Sequence, residues 1–292
     1  MSLRTKAAYI KNKLFYNYAQ LCFKTASIQR YFLSKTDFEK FVAKYKNVEA
    51  SANWDYSDAG QETLAQERIK LLLAHNDNKI PATVCEIGPG SGMLLKQFLN
   101  AGSTNVLGVD IQKPANLDER ITYHLGGVHE LDALPDNSVD FMYSIDAFEH
   151  IPNPIEGINT CLQKLKPGGK FYLQIGPTYY SPWGFHFYHI LRVPYIHILF
   201  PEEYLETYAK QQNKQFPWTN RVPASTYMQY FNHLPANVQL LSLTYDYMWF
   251  FTRMLGKYAD VFKAKKGVQF DDYFIGAIFS VLQKSSTEEY LR

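Results

Sequence analysis

The chain lacks most features of secreted, membrane-spanning or nucleic-acid-binding proteins. Its 292 residues include three cysteines, Cys22, Cys85 and Cys161, with neither paired nor metal-ligand spacing, which fits a reducing compartment. The net charge is only +2, so no overall basic field points to nucleic acid. The longest run of large apolar residues, 248–251, is too short to cross a bilayer, and the first residues lack the apolar stretch of a signal peptide. We therefore expect a cytoplasmic protein without a nucleic-acid partner.

A glycine-rich segment at 84–92 is the most informative part of the sequence. An apolar run leads into it, Glu86 stands two residues before the first glycine, and three glycines follow at alternate positions. Glycine lets the main chain turn sharply and lets a ligand approach it closely. A strand, such a loop and a following helix (93–100) indicate a nucleotide-type site. A dinucleotide fingerprint would need its third glycine at Met93, so the spacing is E-x-G-x-G-x-G instead.

Three later segments follow in the order of an α/β sheet that binds a nucleoside. Residues 106–110 are a short apolar run ending in Asp110, at the distance where a doubly wound fold places the carboxylate that binds ribose hydroxyls. Residues 139–145 predict a buried strand after a turn, and residues 171–175 predict a strand after the turn at 165–170. We therefore expect strands and helices to alternate around a parallel sheet.

This succession and the E-x-G-x-G-x-G loop resemble the core of the class I S-adenosylmethionine (SAM)-dependent methyltransferases that modify small molecules or glycans. The resemblance covers residues 80–176 and implies SAM as cofactor. It also implies a Rossmann-like, doubly wound α/β fold, with a seven-stranded, mostly parallel sheet and an antiparallel last strand. The expected domains are an N-terminal helical cap (1–79), the SAM-binding core (80–176), an acceptor-site insertion with helices (177–237), and C-terminal strands that complete the sheet (238–292).

The N-terminal region predicts helices with a basic, aromatic character. A capping box that begins at Thr36 predicts a helix through Tyr45, and a second helix is expected from Asp58 or Gln61 to Ala74. The first 46 residues carry ten lysines and arginines against two acids, interleaved with aromatic residues. This pattern fits either a helical cap with solvated lysines or peripheral contact with an anionic membrane. Residues 54–56 (WDY) are expected to cover the cofactor or to anchor the core.

The resemblance assigns roles in cofactor binding. The loop glycines would let the backbone approach the cofactor, Glu86 would face its amino group, and Asp110 would bind the ribose. Where many relatives carry an acid for the adenine amino group, this chain has Val128, so backbone groups of Val128 and His129 are expected to take over. The complete expected set is Glu86, Gly88, Pro89, Gly90, Gly92, Asp110, Ile111, Gln112, Val128, His129, Ser144 and Ile145.

The expected acceptor side is rich in histidine and aromatic residues. Deprotonation of a hydroxyl acceptor needs a base, and histidine has a suitable pKa. The candidate bases are His186, His189 and His150, each with the alternative of a packing or backbone-bonding role. The histidines lack carboxylate partners at ligand spacing, so we expect no metal. The expected acceptor-binding residues are Tyr179, Trp183, Arg192 and His197.

The function we predict is methyl transfer from SAM to a small-molecule or glycan-type acceptor, at a hydroxyl, by in-line displacement. Two alternatives stay open: N- or C-methylation of a lipid-like or quinone-like acceptor, and a non-catalytic SAM-binding accessory protein. The segment after the fourth strand, 144–147 (SIDA), lacks the Asn/Asp-Pro-Pro-aromatic loop of DNA amino-methyltransferases. This argues against DNA as the acceptor.

Overall fold

The computed structural model describes residues 3–48 and 57–286, which divide into two compact units. One, the aromatic unit, takes its described residues from Met1–Ser51, Pro177–Thr226 and Tyr245–Ala277. The other, the sheet unit, takes its described residues from Ala52–Gly176, Tyr227–Thr244 and Ile278–Arg292. The predicted Trp54, Asp55 and Tyr56 lie outside the described residues.

The central element is a seven-stranded sheet with strand order β3-β2-β1-β4-β5-β7-β6. The pairs among β1 to β5 are parallel, and β7 runs antiparallel to β5, as the sequence predicted. Strand β1 is buried along its whole length, which suits the apolar run that enters the glycine loop. The strands are β1 (Thr83–Ile87), β2 (Asn105–Asp110), β3 (Thr122–Leu125), β4 (Val139–Ile145), β5 (Leu165–Ile175), β6 (Val238–Tyr247) and β7 (Ile275–Lys284).

Ten α-helices are assigned among the described residues. In the sheet unit, α3 packs on α4, and α5 packs on β5. One core of this unit joins Leu72 of α3 and Phe98 of α4 to Phe141 and Tyr143 of β4. The helices are α1 (Leu3–Thr25), α2 (Lys35–Tyr45), α3 (Asp58–His75), α4 (Met93–Ala101), α5 (Pro154–Lys164), α6 (Ile196–Leu199), α7 (Glu202–Gln211), α8 (Ala224–Phe231), α9 (Thr252–Lys257) and α10 (Ala259–Lys263).

The aromatic unit has a core of its own, built largely from phenylalanine and tyrosine. Helix α1 packs against α9 and α10. Buried tyrosine hydroxyls in this core have partners: Tyr195 donates to the carbonyl of Tyr273 (2.8 Å), and Tyr273 donates to the carbonyl of Phe262 (2.7 Å). Because an unpaired buried hydroxyl is costly, these bonds let large phenols replace aliphatic side chains in the interior. No helix among residues 3–48 and 57–286 is long and apolar enough to cross a bilayer.

Two local predictions need correction. The capping box of α2 begins at Ser34 and not at Thr36: the Ser34 hydroxyl accepts from the backbone N–H of Asp37 (3.1 Å), and the Asp37 carboxylate accepts from the Ser34 N–H (3.3 Å). Aspartate thus takes the place of the usual glutamate at the third helical position. Strand β5 also begins six residues before the predicted Phe171. Its pairing shifts between Leu165 and Lys170, so the predicted turn lies inside the strand as an irregularity.

Candidate functional site

The glycine loop joins β1 to α4 at the carboxyl edge of the sheet. All three of its glycines have left-handed φ angles, +76° at Gly88, +52° at Gly90 and +75° at Gly92. A Cβ on Gly88 would clash with Ala147, and one on Gly92 would lie 2.6 Å from Leu117. These two glycines therefore allow the loop to lie in close contact with Ala147 and Leu117.

Gly90 differs from its neighbours because a Cβ there would meet no atom within 4 Å. Gly90 is exposed, whereas the preceding residue, Pro89, is buried. At this position the main chain faces open space without a side chain in the way. Of the three glycines, Gly90 is therefore the one whose backbone a ligand can approach directly.

Asp110 ends β2 beside the glycine loop, because β1 and β2 are parallel and Ile87 pairs with Val109. The backbone N–H of Gly88 donates to the carbonyl of Val109 (2.9 Å) and ties the loop to that strand. The Asp110 carboxylate accepts from the backbone N–H of Gln112 (3.1 Å). This bond orients the carboxylate at the edge where ligands bind in open α/β sheets. The next residues, Ile111 and Gln112, are exposed, Ile111 by 74%.

Glu86 is a carboxylic acid inside the sheet, with 5% of its surface exposed. It pairs in register with Tyr143 of β4, whose hydroxyl donates to its carboxylate (2.9 Å). Burial raises the pKa of Glu86 to about 8, although the Tyr143 bond and the charge of Arg68 act in the opposite direction. A protonated acid in this place can lose its proton when a cation arrives next to it.

Arg68 brings a positive charge from α3 to the same region. Its guanidinium lies 3.8 Å from the carboxylate of Asp146, and Gln174 donates to that carboxylate from its amide nitrogen (2.9 Å). Asp146 follows β4 with a left-handed φ of +54°, and burial raises its pKa. The carboxylate of Asp146, just after β4, is thus held in place by the guanidinium of Arg68 and the amide of Gln174.

Beyond Asp146, the chain forms a short 3₁₀ turn, Phe148–His150. Glu149 is buried, and its pKa is raised well above the usual range, first by burial and then by the charge of Asp146. The imidazole Nε2 of His150 lies 4.0 Å from the Glu149 carboxylate, and His150 itself is exposed. The role of His150 as a base stays a prediction.

On the expected adenine side, Val128 and His129 begin a 3₁₀ turn. Val128 is buried, and a Cβ on Gly157 of α5 would lie 2.8 Å from its side chain, so Val128 serves as packing. Both ring nitrogens of His129 are buried without a hydrogen-bond partner among the described residues. On β4, Ser144 donates to the carbonyl of Ile87 (2.9 Å), and Ile145 is 8% exposed. Contacts of these four residues with a cofactor stay predictions.

The predicted acceptor residues lie in the aromatic unit, apart from His150 in the sheet unit. His186 is half-buried with a left-handed φ of +60°, and His189 is exposed with its ring 4.2 Å from that of Tyr188. Trp183 has the guanidinium of Arg192 6.0 Å from its ring centre. These environments leave the predicted roles untested.

His197 and Tyr179 form one packed group. The Nε2 atom of His197 lies 2.6 Å from the carbonyl of Tyr179, and its ring stacks on Phe185. Burial lowers the pKa of His197 to about 3, and burial raises the pKa of the Tyr179 phenol. Both residues line a cavity of about 180 Å³ in the aromatic unit. Their predicted contact with an acceptor stays a prediction.

The sequence analysis did not single out Arg68 and Tyr143 as site residues, although the sequence around each contains an indication. Arg68 stands on the same helical face as the buried Ala65 and Leu72, where an arginine is unexpected unless it has an acidic partner. Tyr143 lies in a largely buried strand, and aligning β4 with β1 places this residue opposite Glu86. The Tyr143 signal also needs the register of β4 with β1, which no local pattern specifies.

Comparison with known proteins gives one family match that covers most of the chain. A family model described as a methyltransferase domain matches residues 57–234. A ubiquinone biosynthesis O-methyltransferase of Xanthomonas campestris is 29% identical over 150 residues, which are 48% of this chain and 60% of that protein. A protein of the same name from Aromatoleum aromaticum is 26% identical over 98 residues, or 30% of this chain and 42% of that protein. The match thus spans three fifths or less of these curated relatives.

Solved structures give weaker likenesses. A putative S-adenosylmethionine-dependent methyltransferase from Listeria monocytogenes aligns with a TM-score of 0.47 and 13% identity, over 76% of this chain and 98% of that one. The 1,6-didemethyltoxoflavin-N1-methyltransferase of Burkholderia thailandensis aligns with a TM-score of 0.42 and 15% identity, over 89% of this chain and 95% of that one. Their low identity gives no information about the acceptor of this chain.

Proposed function

Since this chain belongs to the methyltransferase domain family, we propose that it binds SAM at the glycine loop and transfers the methyl group to a hydroxyl of a small-molecule acceptor. The family match over residues 57–234 confirms the resemblance stated from the sequence, and the strand order confirms the predicted fold class. The proposal depends most on one observation: Gly90 faces open space in the loop that follows β1, and this loop is bonded to β2 next to Asp110.

The residues at this edge fit the functional groups of SAM. Asp110 would accept from the ribose hydroxyls, and the backbone at Gly90 would lie along the cofactor. Glu86 would pair with the cofactor's ammonium group, because a cation next to it favours the ionised carboxylate over the protonated acid. Arg68 would bind the cofactor's carboxylate, since a guanidinium makes paired, charge-assisted hydrogen bonds to a carboxylate.

When bound, SAM supplies an activated methyl group on a positively charged sulfur. The protein has to hold the acceptor oxygen in line with that methyl group and to remove the acceptor's proton. His186, His189 and His150 remain the candidates for the proton acceptor, and Tyr179, Trp183, Arg192 and His197 for acceptor binding. Comparing turnover with cofactor affinity in their alanine variants separates these roles.

For the acceptor, we propose a quinone-like phenol. The support is the name of the curated relatives, ubiquinone biosynthesis O-methyltransferase, together with the small-molecule class of acceptor predicted from the sequence. A phenol hydroxyl needs only a weak base for deprotonation, and an imidazole can serve as one. A glycan hydroxyl is the other acceptor that the sequence left open, and it is far less acidic.

The first test is cofactor binding, measured by calorimetry with SAM and with S-adenosylhomocysteine. Gly90→Asn keeps a residue that tolerates left-handed backbone but puts a side chain into the open space, so we expect at least a tenfold loss of affinity. Gly168→Asn is the matched control, because Gly168 also has a left-handed φ (+83°) and open space around its Cβ position. Equal affinity in both variants, or saturable binding of a pyridine dinucleotide by the wild type, would contradict the proposed site.

The second test is turnover. Incubation with SAM and a panel of catechols, hydroquinones and sugars, followed by mass spectrometry, should give a product heavier by one methyl group together with S-adenosylhomocysteine. His186→Ala is expected to keep cofactor affinity and to slow turnover. Methylation of sugars alone would contradict the quinone-like acceptor, and tight binding of SAM without any turnover would support a non-catalytic accessory protein.

A further inference from the structure

The aromatic unit carries a basic groove outside the candidate cofactor site. The groove has a volume of about 550 Å³ and lies between α2 and the segment 250–258. Its walls include the rings of Phe41, Tyr45, Phe251 and Tyr258. Four cationic side chains also line it, against the single acid Asp37: Lys40, Lys44, Arg253 and Lys257.

Three of these cations have no acidic partner within residues 3–48 and 57–286. Lys40 lies 4.0 Å from Asp37, but Lys44, Arg253 and Lys257 form no ion pair with any carboxylate of the described residues. Their charged ends instead lie near aromatic rings, at 5.1 Å from the centre of Tyr45, 4.5 Å from Phe15 and 5.0 Å from Tyr258, respectively. All three residues are exposed. Among the described residues that line the groove, Asp37 is thus the single acid against four cations.

Exposed apolar side chains border the same surface. Phe250 lines the groove and is 85% exposed. On α1, Leu14, Tyr18 and Leu21 stand at i, i+4 and i+7, so they share one helical face, and they are 64%, 54% and 61% exposed. A Cβ on Gly256 of α9 would lie 2.8 Å from the Tyr18 ring, which places this face next to the helix that carries Arg253 and Lys257.

We propose that this surface docks on a bilayer of anionic phospholipids. The three unpaired cations would lie at the phosphate groups, and Phe250 with the exposed face of α1 would enter the region between headgroups and acyl chains. Cations next to exposed apolar side chains are the combination that binds an anionic lipid surface, because the two kinds of contact add. A small soluble anion in the groove would satisfy the charges but would leave Phe250 and the exposed face of α1 in water. The inference involves the aromatic unit only and does not depend on methyl transfer.

The test is sedimentation of the full-length protein with vesicles. Wild type should bind vesicles that contain phosphatidylglycerol and should not bind vesicles of pure phosphatidylcholine, and raised salt should weaken the binding. Each basic residue near an anionic surface contributes roughly a fivefold gain in partitioning, so neutralising three should cost roughly 100-fold. The test variant is Lys44→Gln/Arg253→Gln/Lys257→Gln, and the control with the same loss of charge at exposed sites is Lys70→Gln/Lys79→Gln/Lys214→Gln.

Insertion has its own readout. Phe250→Ser should lower partitioning by roughly tenfold while keeping the charges, since a buried phenylalanine side chain is lost from the lipid phase. Phe250→Trp should gain fluorescence that brominated lipids quench. Circular dichroism and thermal melting verify that every variant is folded. Equal binding by the two triple variants, binding to phosphatidylcholine alone, or binding to a short RNA with none to vesicles would overturn the proposal.

Discussion

The buried acid Glu86 makes the stability of the sheet unit depend on pH in an unusual direction. Its pKa is raised from 4.5 to about 8 by burial, so the folded protein keeps the proton up to about pH 8 while the unfolded chain releases it near pH 4.5. Between these values the folded state binds more protons than the unfolded state. The free energy of unfolding therefore decreases as the pH rises from 4.5 to 8.

The size of the effect follows from the difference in pKa. One pKa unit corresponds to about 1.4 kcal/mol, so the acid costs about 3 kcal/mol of stability at pH 7 relative to pH 4.5. Glu86→Gln keeps an oxygen that can accept the bond from Tyr143 (2.9 Å in the wild type) but cannot ionise. The variant should match the wild type near pH 4.5 and exceed its stability by about 3 kcal/mol at pH 7.

Native-state hydrogen exchange of peptides from β1 and β4, followed by mass spectrometry at several pH values, measures this difference in the sheet unit. Glu156→Gln, an exposed acid on α5, is the control and should change the unfolding free energy little at any pH. A gap between wild type and Glu86→Gln that stays constant from pH 5 to 8 would refute the reasoning. At pH 7 we also expect SAM to displace close to one proton from wild type and none from Glu86→Gln, measured by calorimetry in buffers of different ionisation enthalpy.

Two further predictions concern single residues. Asp110→Ala should lower SAM affinity by roughly 100-fold, because two hydrogen bonds to a charged group are lost, while thermal melting stays near that of the wild type; normal affinity would remove Asp110 from the cofactor site. His197 has a pKa lowered to about 3 by burial, so the unfolded state binds more protons between pH 3 and 6.5, and the aromatic unit should lose stability as the pH falls through this range. His197→Phe should remove that loss in hydrogen exchange of peptides around α6, and an unchanged slope would count against it.

The sequence predicted the sheet well because its signals are local. The glycine loop, the acid at the end of β2 and the apolar run of β4 each combine a backbone requirement with a fixed place in the strand order. The predicted helix over 93–100 is observed as Met93–Ala101, and the strands predicted within 238–292 are observed as Val238–Tyr247 and Ile275–Lys284. Where two signals compete, the prediction was less accurate: Ser34 and Thr36 are both good helix caps, and only the geometry of Asp37 selects Ser34.

The interior of the site could not be predicted in the same way. The bond between Glu86 and Tyr143 depends on the register of β1 with β4, which no local pattern specifies. The sequence also does not show that Gly88 and Gly92 lie close to Ala147 and Leu117, whereas Gly90 faces open space. Such differences arise from close approach between segments far apart in sequence.

The energetic costs of the sheet unit are concentrated where the site is proposed. A buried acid with a raised pKa and an arginine on the buried face of α3 each lower stability relative to an apolar residue, and the left-handed backbone at Asp146 lowers it relative to glycine. All three lie at or near the carboxyl ends of β1 and β4, and none of them is needed to complete the hydrophobic core around Phe98 and Phe141. If Glu86→Gln stabilises the protein and also weakens SAM binding, both effects arise from the same carboxyl group. The lower stability of this edge of the sheet then results from keeping an acid there to bind the cofactor.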